Sequence, residues 1–461
     1  MNINSLFKNK ERVILIILFF NPFLDIIYTI NNIYLGISFP INQMVRIIIL
    51  FYFFIQLRKK SSLKIIMVVF LLLFLSEISS IIISRNINFF IEDISYMIKI
   101  LYFIITLLYI SEMISKKEIK IEYLLKGIAL GTLVLCLNIL LAKYLNIGLK
   151  SYDDGVRDGV KGFFTVVNTL TAMMVINVPL ILSYYNINKS KKYLALYLIS
   201  CYSLMLIGTK FALASSIILL LFLILYLFVK IYNTRYRNIF IFCVVLISII
   251  LVYLSSSRII EFINSQLEIY SKYSYNNILD FITSNRTLQI FYLDQFIEKI
   301  SFFINPIYMF GLGFTLSNSI VNIGKSDFQM VEMDLHGVLY YSGIFLFSII
   351  IILITISILR VCKLIWKAKN KMFFMLILIS IILGTLHAIF AGHVIYEAGP
   401  LLYYATALGI SNGLFLNEKF EIVFNKRDKI EKNKIIEVFD KFLNLLFYYE
   451  DKFINLGEKN E

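Results

Sequence analysis

"LKIIMVVFLLLFLSEISSIII", residues 63–83, is a run of 21 residues that contains only two charged side chains. About 20 apolar residues in an α-helix span the hydrocarbon core of a bilayer, which is roughly 30 Å thick. Similar runs recur along nearly the whole chain: 59% of its 461 residues are hydrophobic and 16% are charged. Since a soluble domain carries about 25% charged residues, the sequence predicts an all-α integral membrane protein.

The apolar runs predict about twelve transmembrane helices. They cover residues 13–30, 41–57, 63–83, 89–110, 124–145, 164–185, 194–208, 212–229, 239–254, 335–359, 373–390 and 394–416. If the N-terminus is cytoplasmic, the inner segments hold 21 Lys and Arg residues and the short outer segments hold 5. This bias follows the positive-inside rule and predicts that both termini lie in the cytoplasm.

Two regions lie outside the helical hairpins and divide the chain into four parts. Residues 1–254 hold nine predicted spans, 255–334 form one large extracytoplasmic loop, 335–416 hold three spans, and 417–461 form a lysine-rich amphipathic tail on the cytoplasmic face. A loop of about 80 residues is long for a connection and is typically functional. Apolar residues at helical spacing predict amphipathic helices within 255–270 and 285–303, and "FGLGF" at 310–314 predicts a turn.

Charge and motifs narrow the class of function. The net charge of +14 comes from Lys and Arg in short turns between spans, which indicates a membrane surface rather than nucleic acid. The four cysteines lie in or beside predicted spans, and no disulfide framework or metal cluster is indicated. The sequence has no nucleotide-binding glycine loop, zinc spacing or Ser-His-Asp elbow. We therefore expect no metal and no cofactor.

Charged residues at membrane depth are costly and are candidates for function by default. The outer half of the predicted protein collects the candidates Arg157, Lys161, Lys210, Arg286, Glu332, Asp334, His336, His393 and Glu397. Arginine binds phosphate through two parallel hydrogen bonds and keeps its charge, and a carboxylate or histidine can take a proton from an attacking hydroxyl group. These residue types together predict transfer from a pyrophosphate-linked lipid.

Several of these residues also have a structural alternative. Arg157 could be a solvated loop charge, Lys210 could extend its ammonium group to the interface, and His393 could be packed in the core. Arg286 opens an amphipathic helix, where a cation opposes the helix dipole, so a structural role is less natural there.

The stretch "VEMDLHGVLYYSG", residues 331–343, combines two acids with a histidine at the start of a predicted span. Glu332 and Asp334 could simply complement the positive end of the helix. Glu332 and His336 are four residues apart and would share one helical face, with Asp334 roughly opposite. A carboxylate that orients a histidine is a general-base arrangement, so Glu332 and His336 are the candidate bases.

These motifs, in this order, resemble the O-antigen polymerase and O-antigen ligase superfamily of bacterial surface polysaccharide assembly. The stretches that carry the resemblance are "VRDGVKGFFTVVNTLTA", "GTKFALAS", "SNR", "INPIYMFGLGF", "EMDLHGVLYYSGI" and "AGHVIYEAGP". The resemblance implies a multi-span glycosyltransferase in the bacterial cytoplasmic membrane that uses an undecaprenyl-pyrophosphate-linked glycan as donor, without nucleotide sugar or metal. It further implies that Arg157 and Arg286 bind the pyrophosphate, with Lys210 at a position that is often basic.

The resemblance leaves two activities open. Polymerases join lipid-linked repeat units, whereas ligases pass the finished glycan to another acceptor. Ligases typically have His-Asn where this chain has Glu332, and "ExD" resembles polymerase-like members of Gram-positive bacteria, which favours a polymerase. We expect membrane lipid and the lipid-linked donor and acceptor as partners, together with a flippase and a chain-length regulator. A lipid-linked oligosaccharide flippase is the alternative from another class, although the sequence has no convincing internal repeat.

Overall fold

The computed structural model describes residues 9–37, 39–152, 159–231, 280, 283–300, 306–324, 331–368 and 370–417. Fourteen α-helices lie in these residues. They are α1 (Lys10–Thr29), α2 (Ile41–Gln56), α3 (Lys60–Ser84), α4 (Asn88–Ser115), α5 (Ile121–Leu145), α6 (Val167–Asn188), α7 (Lys191–Ile207), α8 (Lys210–Ile231), α9 (Thr287–Ile300), α10 (Pro306–Phe310), α11 (Phe314–Gly324), α12 (Asp334–Lys367), α13 (Lys371–Phe390) and α14 (Ala398–Leu416). A π-helical turn, Ile30–Tyr34, extends α1, and the antiparallel strands β1 (Leu149–Lys150) and β2 (Val160–Gly162) form a short hairpin.

Eight helices in the described residues are long and apolar enough to cross a membrane. They are α1 with its π-helical turn, α3, α4, α5, α6, α8, α12 and α13. The predicted spans at 41–57, 194–208 and 394–416 correspond to the helices α2, α7 and α14, which are not among these eight. The prediction at 239–254 lies outside the described residues. The protein is thus an all-α, multi-span membrane protein, while twelve spans and two cytoplasmic termini remain predictions.

Helices α4, α6 and α14 form the centre of the bundle, and most of their side chains are buried. Helix α14 packs along α4 at two glycines, Gly409 and Gly413. A Cβ atom at Gly409 would lie 2.7 Å from the Cβ atom of Ile110, and one at Gly413 would lie 2.6 Å from that of Ile114. Small residues four apart allow the close helix approach that is common in membranes.

Helix α12 begins at Asp334 and breaks at Gly343, where φ is 74° and ψ is 178°. The break leaves the carbonyl groups of Tyr340 and Tyr341 without partners in their own helix. Leu312 and Gly313 donate their N–H groups to these two carbonyls at 2.8 and 2.9 Å. The predicted "FGLGF" turn is therefore present, and it fills the break in α12.

The predicted large loop contains more helix than its sequence pattern indicated. Helix α9 lies inside the predicted 285–303 helix, but α10 and α11 flank the turn and were not predicted. Leu312, Phe314 and Val321 are fully buried, so this part of the loop packs into the bundle. The other predicted helix, 255–270, and the tail beyond Asn417 lie outside the described residues.

Candidate functional site at the start of helix α12

Arg286 and Glu332 form an ion pair that joins the two ends of the predicted loop. The Nε atom of Arg286 lies 2.5 Å from Oε2 of Glu332. The Arg286 side chain is 14% exposed and the Glu332 side chain is 28% exposed. The pair is therefore reachable from solvent yet largely surrounded by protein, which is the environment of a ligand-binding residue rather than of a free surface charge.

A strained turn holds Arg286 just before α9. Ser284 and Asn285 both have positive φ, at 55° and 64°, and Asn285 donates its N–H to the Asp280 carbonyl at 2.7 Å. The hydroxyl group of Thr287 also donates to the Asp280 carboxylate. Left-handed residues other than glycine persist only where surrounding contacts enforce them, and they cluster at functional sites. The Nη1 group of Arg286 also donates to the Phe390 carbonyl at 3.3 Å.

Two contacts fix the backbone of Glu332. Its N–H donates to the Gln289 side-chain oxygen at 2.9 Å, and Gln289 is fully buried. Its carbonyl oxygen lies against Gly392, at a place where a Cβ atom would overlap it. Gly392 has φ of 71°, so both space and conformation require glycine there. Backbone placement of Glu332 thus depends on α9 and on the segment after α13.

Asp334 organises the segment that precedes α14. Its carboxylate accepts hydrogen bonds from the N–H groups of His393, Val394 and Ile395 at 2.8, 2.5 and 2.7 Å. Asp334 is also the first residue of α12, so its charge stands at the positive end of that helix, as the helix-start interpretation expected. Three converging N–H groups form an anion-binding nest, and the anion is Asp334.

Three buried nitrogen atoms around the ion pair have no hydrogen-bond partner among the described residues. They are Nε2 of Gln289, Nε2 of His387 and Nδ1 of His393. His387 lies on α13 and is fully buried, and its Nδ1 atom is 2.8 Å from the Gly392 carbonyl oxygen. Buried polar atoms are normally satisfied, so these three nitrogens are available for hydrogen bonds to a polar ligand or to water.

The expected pairing of Glu332 with His336 is absent. Glu332 lies in the extended segment ahead of α12, and no hydrogen bond joins it to His336. The His336 ring is half-buried, and its Nδ1 atom has no partner among the described residues. Arg286 rather than His336 is therefore the side chain that holds Glu332.

The remaining predicted cations are placed differently. Lys210 is the first residue of α8, and the ring of the next residue, Phe211, packs edge-on against His387 with ring centroids 4.7 Å apart. The ammonium group of Lys161 donates to the Thr165 carbonyl at 2.9 Å. Lys210 thus begins a helix that borders the site, and Arg157 lies outside the described residues.

Sequence reasoning missed two further ion pairs in the spans. Arg46 on α2 makes two hydrogen bonds of 2.8 Å to the carboxylate of Asp25 on α1 and a third, of 3.2 Å, to Asn21. Lys99 on α4 lies 3.6 Å from Glu397, which precedes α14. Asp25 and Arg46 stand inside apolar runs, and that position was the signal available in the sequence.

The fold and the site together give the class of this protein. It is an all-α membrane protein with a partly exposed arginine–carboxylate ion pair near buried histidines. A guanidinium can bind a phosphate group, and a carboxylate can accept a proton from a hydroxyl group. Such a set of groups is suited to group transfer from a phosphorylated donor.

The comparison with protein families agrees with this class. Residues 8–277, more than half of the chain, match the family described as O-antigen ligase like membrane protein. The chain belongs to this family, which places it among membrane enzymes that act on lipid-linked glycans. The matched region ends before Arg286, so the candidate site lies beyond it. A comparison with curated proteins gives no match.

Proposed function

We propose that this protein polymerises undecaprenyl-pyrophosphate-linked oligosaccharide repeat units into a surface polysaccharide on the outer face of the bacterial cytoplasmic membrane. The observation that carries the proposal is the contact between Arg286 and Glu332, which lie 46 positions apart in the chain. Glycan transfer needs both a cation for the pyrophosphate and an acceptor for the hydroxyl proton at one site. Membership of a family of membrane enzymes that act on lipid-linked glycans supports it.

The reaction needs one bond formed and one bond broken. An acceptor sugar hydroxyl attacks the anomeric carbon of the donor, and the bond from that carbon to the pyrophosphate oxygen breaks. The hydroxyl proton passes to Glu332, and the lipid pyrophosphate leaves with the bonding electron pair. Attack from the face opposite the leaving group inverts the anomeric carbon.

Arg286 is the group that binds and stabilises the leaving pyrophosphate. In the described structure its Nε atom is engaged by Glu332, so the donor must displace this carboxylate. A pyrophosphate offers more charge and more acceptor oxygens than one carboxylate, and arginine binds both groups in the same geometry. Displacement leaves Glu332 unpaired beside the donor, which is the state that a general base requires.

Other cations complete the proposed site. Lys161 lies on strand β2 of the hairpin, and this hairpin contacts α7 just before the turn to Lys210. The Ser151 hydroxyl group donates to the Ile207 carbonyl at 2.7 Å. We infer that Arg157, Lys161 and Lys210 hold the rest of the glycan-lipid, with His393 in contact with it and His336 as a second candidate base.

The proposed topology has twelve spans and two cytoplasmic termini, with residues 255–334 as the outer loop and 417–461 as a cytoplasmic tail. In this topology Arg286, Glu332 and His393 share the outer face. A flippase and a chain-length regulator are the proposed protein partners.

A polymerase is favoured over a ligase by Glu332, because ligases typically have His-Asn at this position. The family description nevertheless makes ligation to another acceptor the second candidate. Cells that lack a polymerase should accumulate single repeat units, whereas cells that lack a ligase should accumulate long unattached chains.

The direct test uses purified protein in vesicles and one synthetic lipid-pyrophosphate-linked repeat unit. We expect a ladder of products that grows by one repeat at a time and disappears in an Arg286→Ala and Glu332→Gln double variant. Full chain growth by that variant, or movement of the intact donor across the membrane with no bond made, would overturn the proposal.

A further inference from the structure

Helices α3 and α4 bury two carboxylic acids away from the candidate site. Glu77 on α3 is 1% exposed and Asp93 on α4 is fully buried. Asp93 is the charged group that acts on Glu77 among the described residues, and neither a lysine nor an arginine there does so. Two buried acids without a counter-ion are expensive, so each must be compensated in another way.

Asp93 is compensated by the start of α11. Its two carboxylate oxygens accept the N–H groups of Phe314 and Thr315 at 2.9 and 2.7 Å, and the Thr315 hydroxyl group also donates to it. These are the first two residues of α11, where the helix dipole favours a negative charge. Asp93 can therefore remain ionised while buried.

Glu77 has no such compensation. Neither of its carboxylate oxygens has a hydrogen-bond donor among the described residues. Asp93 lies beside it, but two carboxylates are both acceptors and cannot bond to each other without a proton or a metal ion between them. The contact between Glu77 and Asp93 therefore needs one positive charge, a proton or a cation, between the two carboxylates.

A hydroxyl group completes an oxygen-lined site. The Ser80 side chain lies one turn after Glu77 on α3, is fully buried, and its Oγ atom has no partner among the described residues. The space above Gly313 places Ser80 and Asp93 together: a Cβ atom there would lie 2.7 Å from Oγ of Ser80 and 2.9 Å from Oδ2 of Asp93. Oxygen atoms of Ser80 on α3 and of Asp93 on α4 thus lie close to each other beside Gly313, and Glu77 is the acidic neighbour of Asp93.

A transmembrane helix next to these three residues is broken, as helices at ion sites in membrane proteins often are. Helix α12 breaks at Gly343, and the turn between α10 and α11 fills the break. The Ser76 hydroxyl group on α3 donates to the Tyr341 carbonyl at the same break, at 2.5 Å. In transporters, broken helices at membrane depth commonly coordinate Na⁺ or H⁺.

We propose that Glu77, Ser80 and Asp93 bind one small monovalent cation, either a proton shared between the two acids or a sodium ion held by their oxygens. A single positive charge is what Glu77 lacks once α11 compensates Asp93. Magnesium retains several waters and calcium takes six to eight oxygens, whereas Glu77, Ser80 and Asp93 supply the oxygens of two carboxylates and one hydroxyl group.

The cation would fasten α11 to the bundle and, through it, the segment that carries Glu332. Asn318 on α11 accepts a hydrogen bond from the Tyr341 hydroxyl group at 2.9 Å. That hydroxyl oxygen accepts the N–H of Val331 at 3.0 Å, one residue before Glu332. Glu77 and Ser80 are thus positioning residues with respect to the proposed reaction.

The test is the thermal unfolding midpoint of the purified full chain in detergent. One arm compares sodium chloride with choline chloride at equal ionic strength and pH 8, and the other lowers the pH in choline chloride. The other titratable groups that act on the pair are Tyr96 and Tyr341, and a tyrosine ordinarily ionises only near pH 10. Glu77→Gln removes the charge with little change of shape, and Glu92→Gln makes the same change at an exposed site next to Asp93.

If sodium is the ligand, the midpoint of the wild-type protein and of Glu92→Gln should rise with sodium concentration, and Ser80→Ala should weaken the rise. If a proton is the ligand, the midpoint should rise as the pH falls, with no effect of sodium. Glu77→Gln should remove either dependence. Equal midpoints for the wild-type protein in both salts and at all pH values would overturn the proposal, even if Glu77→Gln does not fold. The same dependence in Glu77→Gln as in the wild-type protein would also overturn it.

Discussion

Arg286 and Glu332 contact each other across the loop that precedes helix α12, with Nε and Oε2 2.5 Å apart. The carboxylate therefore competes for the guanidinium with any phosphate ligand. Removal of that competition should strengthen phosphate binding even though it removes the proposed base.

Glu332→Gln should bind inorganic pyrophosphate about two- to fivefold more tightly than the wild-type protein. The estimate corresponds to roughly 0.5–1 kcal/mol for a partly exposed ion pair. Isothermal titration calorimetry measures the affinity without any transfer reaction. Glu298→Gln, an exposed acid on α9, is the matched control and should bind as the wild-type protein does. Weaker binding by Glu332→Gln would contradict the competition.

Gly392→Ala should displace the Glu332 backbone and reduce glycan transfer at least tenfold. An added Cβ atom would overlap the Glu332 carbonyl oxygen, and φ at Gly392 is 71°. Gly36→Ala separates the two effects, because Gly36 has φ of 65° and open space around it. The control should cost about 1–2 kcal/mol of stability through the left-handed conformation alone and keep full transfer. Equal transfer by both variants would show that the Gly392 contact does not position Glu332.

Asp334→Asn should lower the free energy of unfolding by about 2 kcal/mol or more. The change replaces an acceptor of three N–H groups by an amide whose NH2 group opposes some of them. Chemical unfolding in mixed micelles gives the value. Asp294→Asn is the control, since Asp294 accepts a hydrogen bond from the Tyr340 hydroxyl group and is only half-buried. A similar small loss in both variants would mean that the three N–H groups are satisfied without Asp334.

Arg46→Met should destabilise the protein by about 3–5 kcal/mol, because it leaves the Asp25 carboxylate unpaired between α1 and α2. Adding Asp25→Leu should recover much of the loss, since a pair of apolar residues often replaces a buried ion pair at little cost. A double-mutant cycle on unfolding free energies measures the coupling. Additive losses would show that the two side chains do not act as a pair.

The helices were largely predictable from sequence, because an apolar run of span length has few alternatives. Residues 63–83 lie inside α3, and the runs at 89–110 and 124–145 lie inside α4 and α5. Gly343 was not predicted to break α12, since the break depends on carbonyl groups that accept hydrogen bonds from residues 28 positions earlier in the chain.

The residues of the candidate site could be predicted from the sequence, but the contacts between them could not. Arg286 and Glu332 were both identified from charge, yet helical spacing paired Glu332 with His336 instead. Spacing applies only within a helix, and α12 begins after Glu332. Gln289 and His387 gave no signal in the sequence, because their roles arise from burial and from contacts between distant segments.

The most direct measurement of the central claim is the transfer rate of Glu332→Gln and of Arg286→Lys on a lipid-pyrophosphate-linked repeat unit. Both should fall at least a hundredfold, since one loses the proton acceptor and the other loses the guanidinium fork that fits a pyrophosphate. The controls Glu298→Gln and Arg85→Lys, at exposed positions, should keep the wild-type rate. Wild-type rates in both site variants would contradict the proposed role of the Arg286–Glu332 pair.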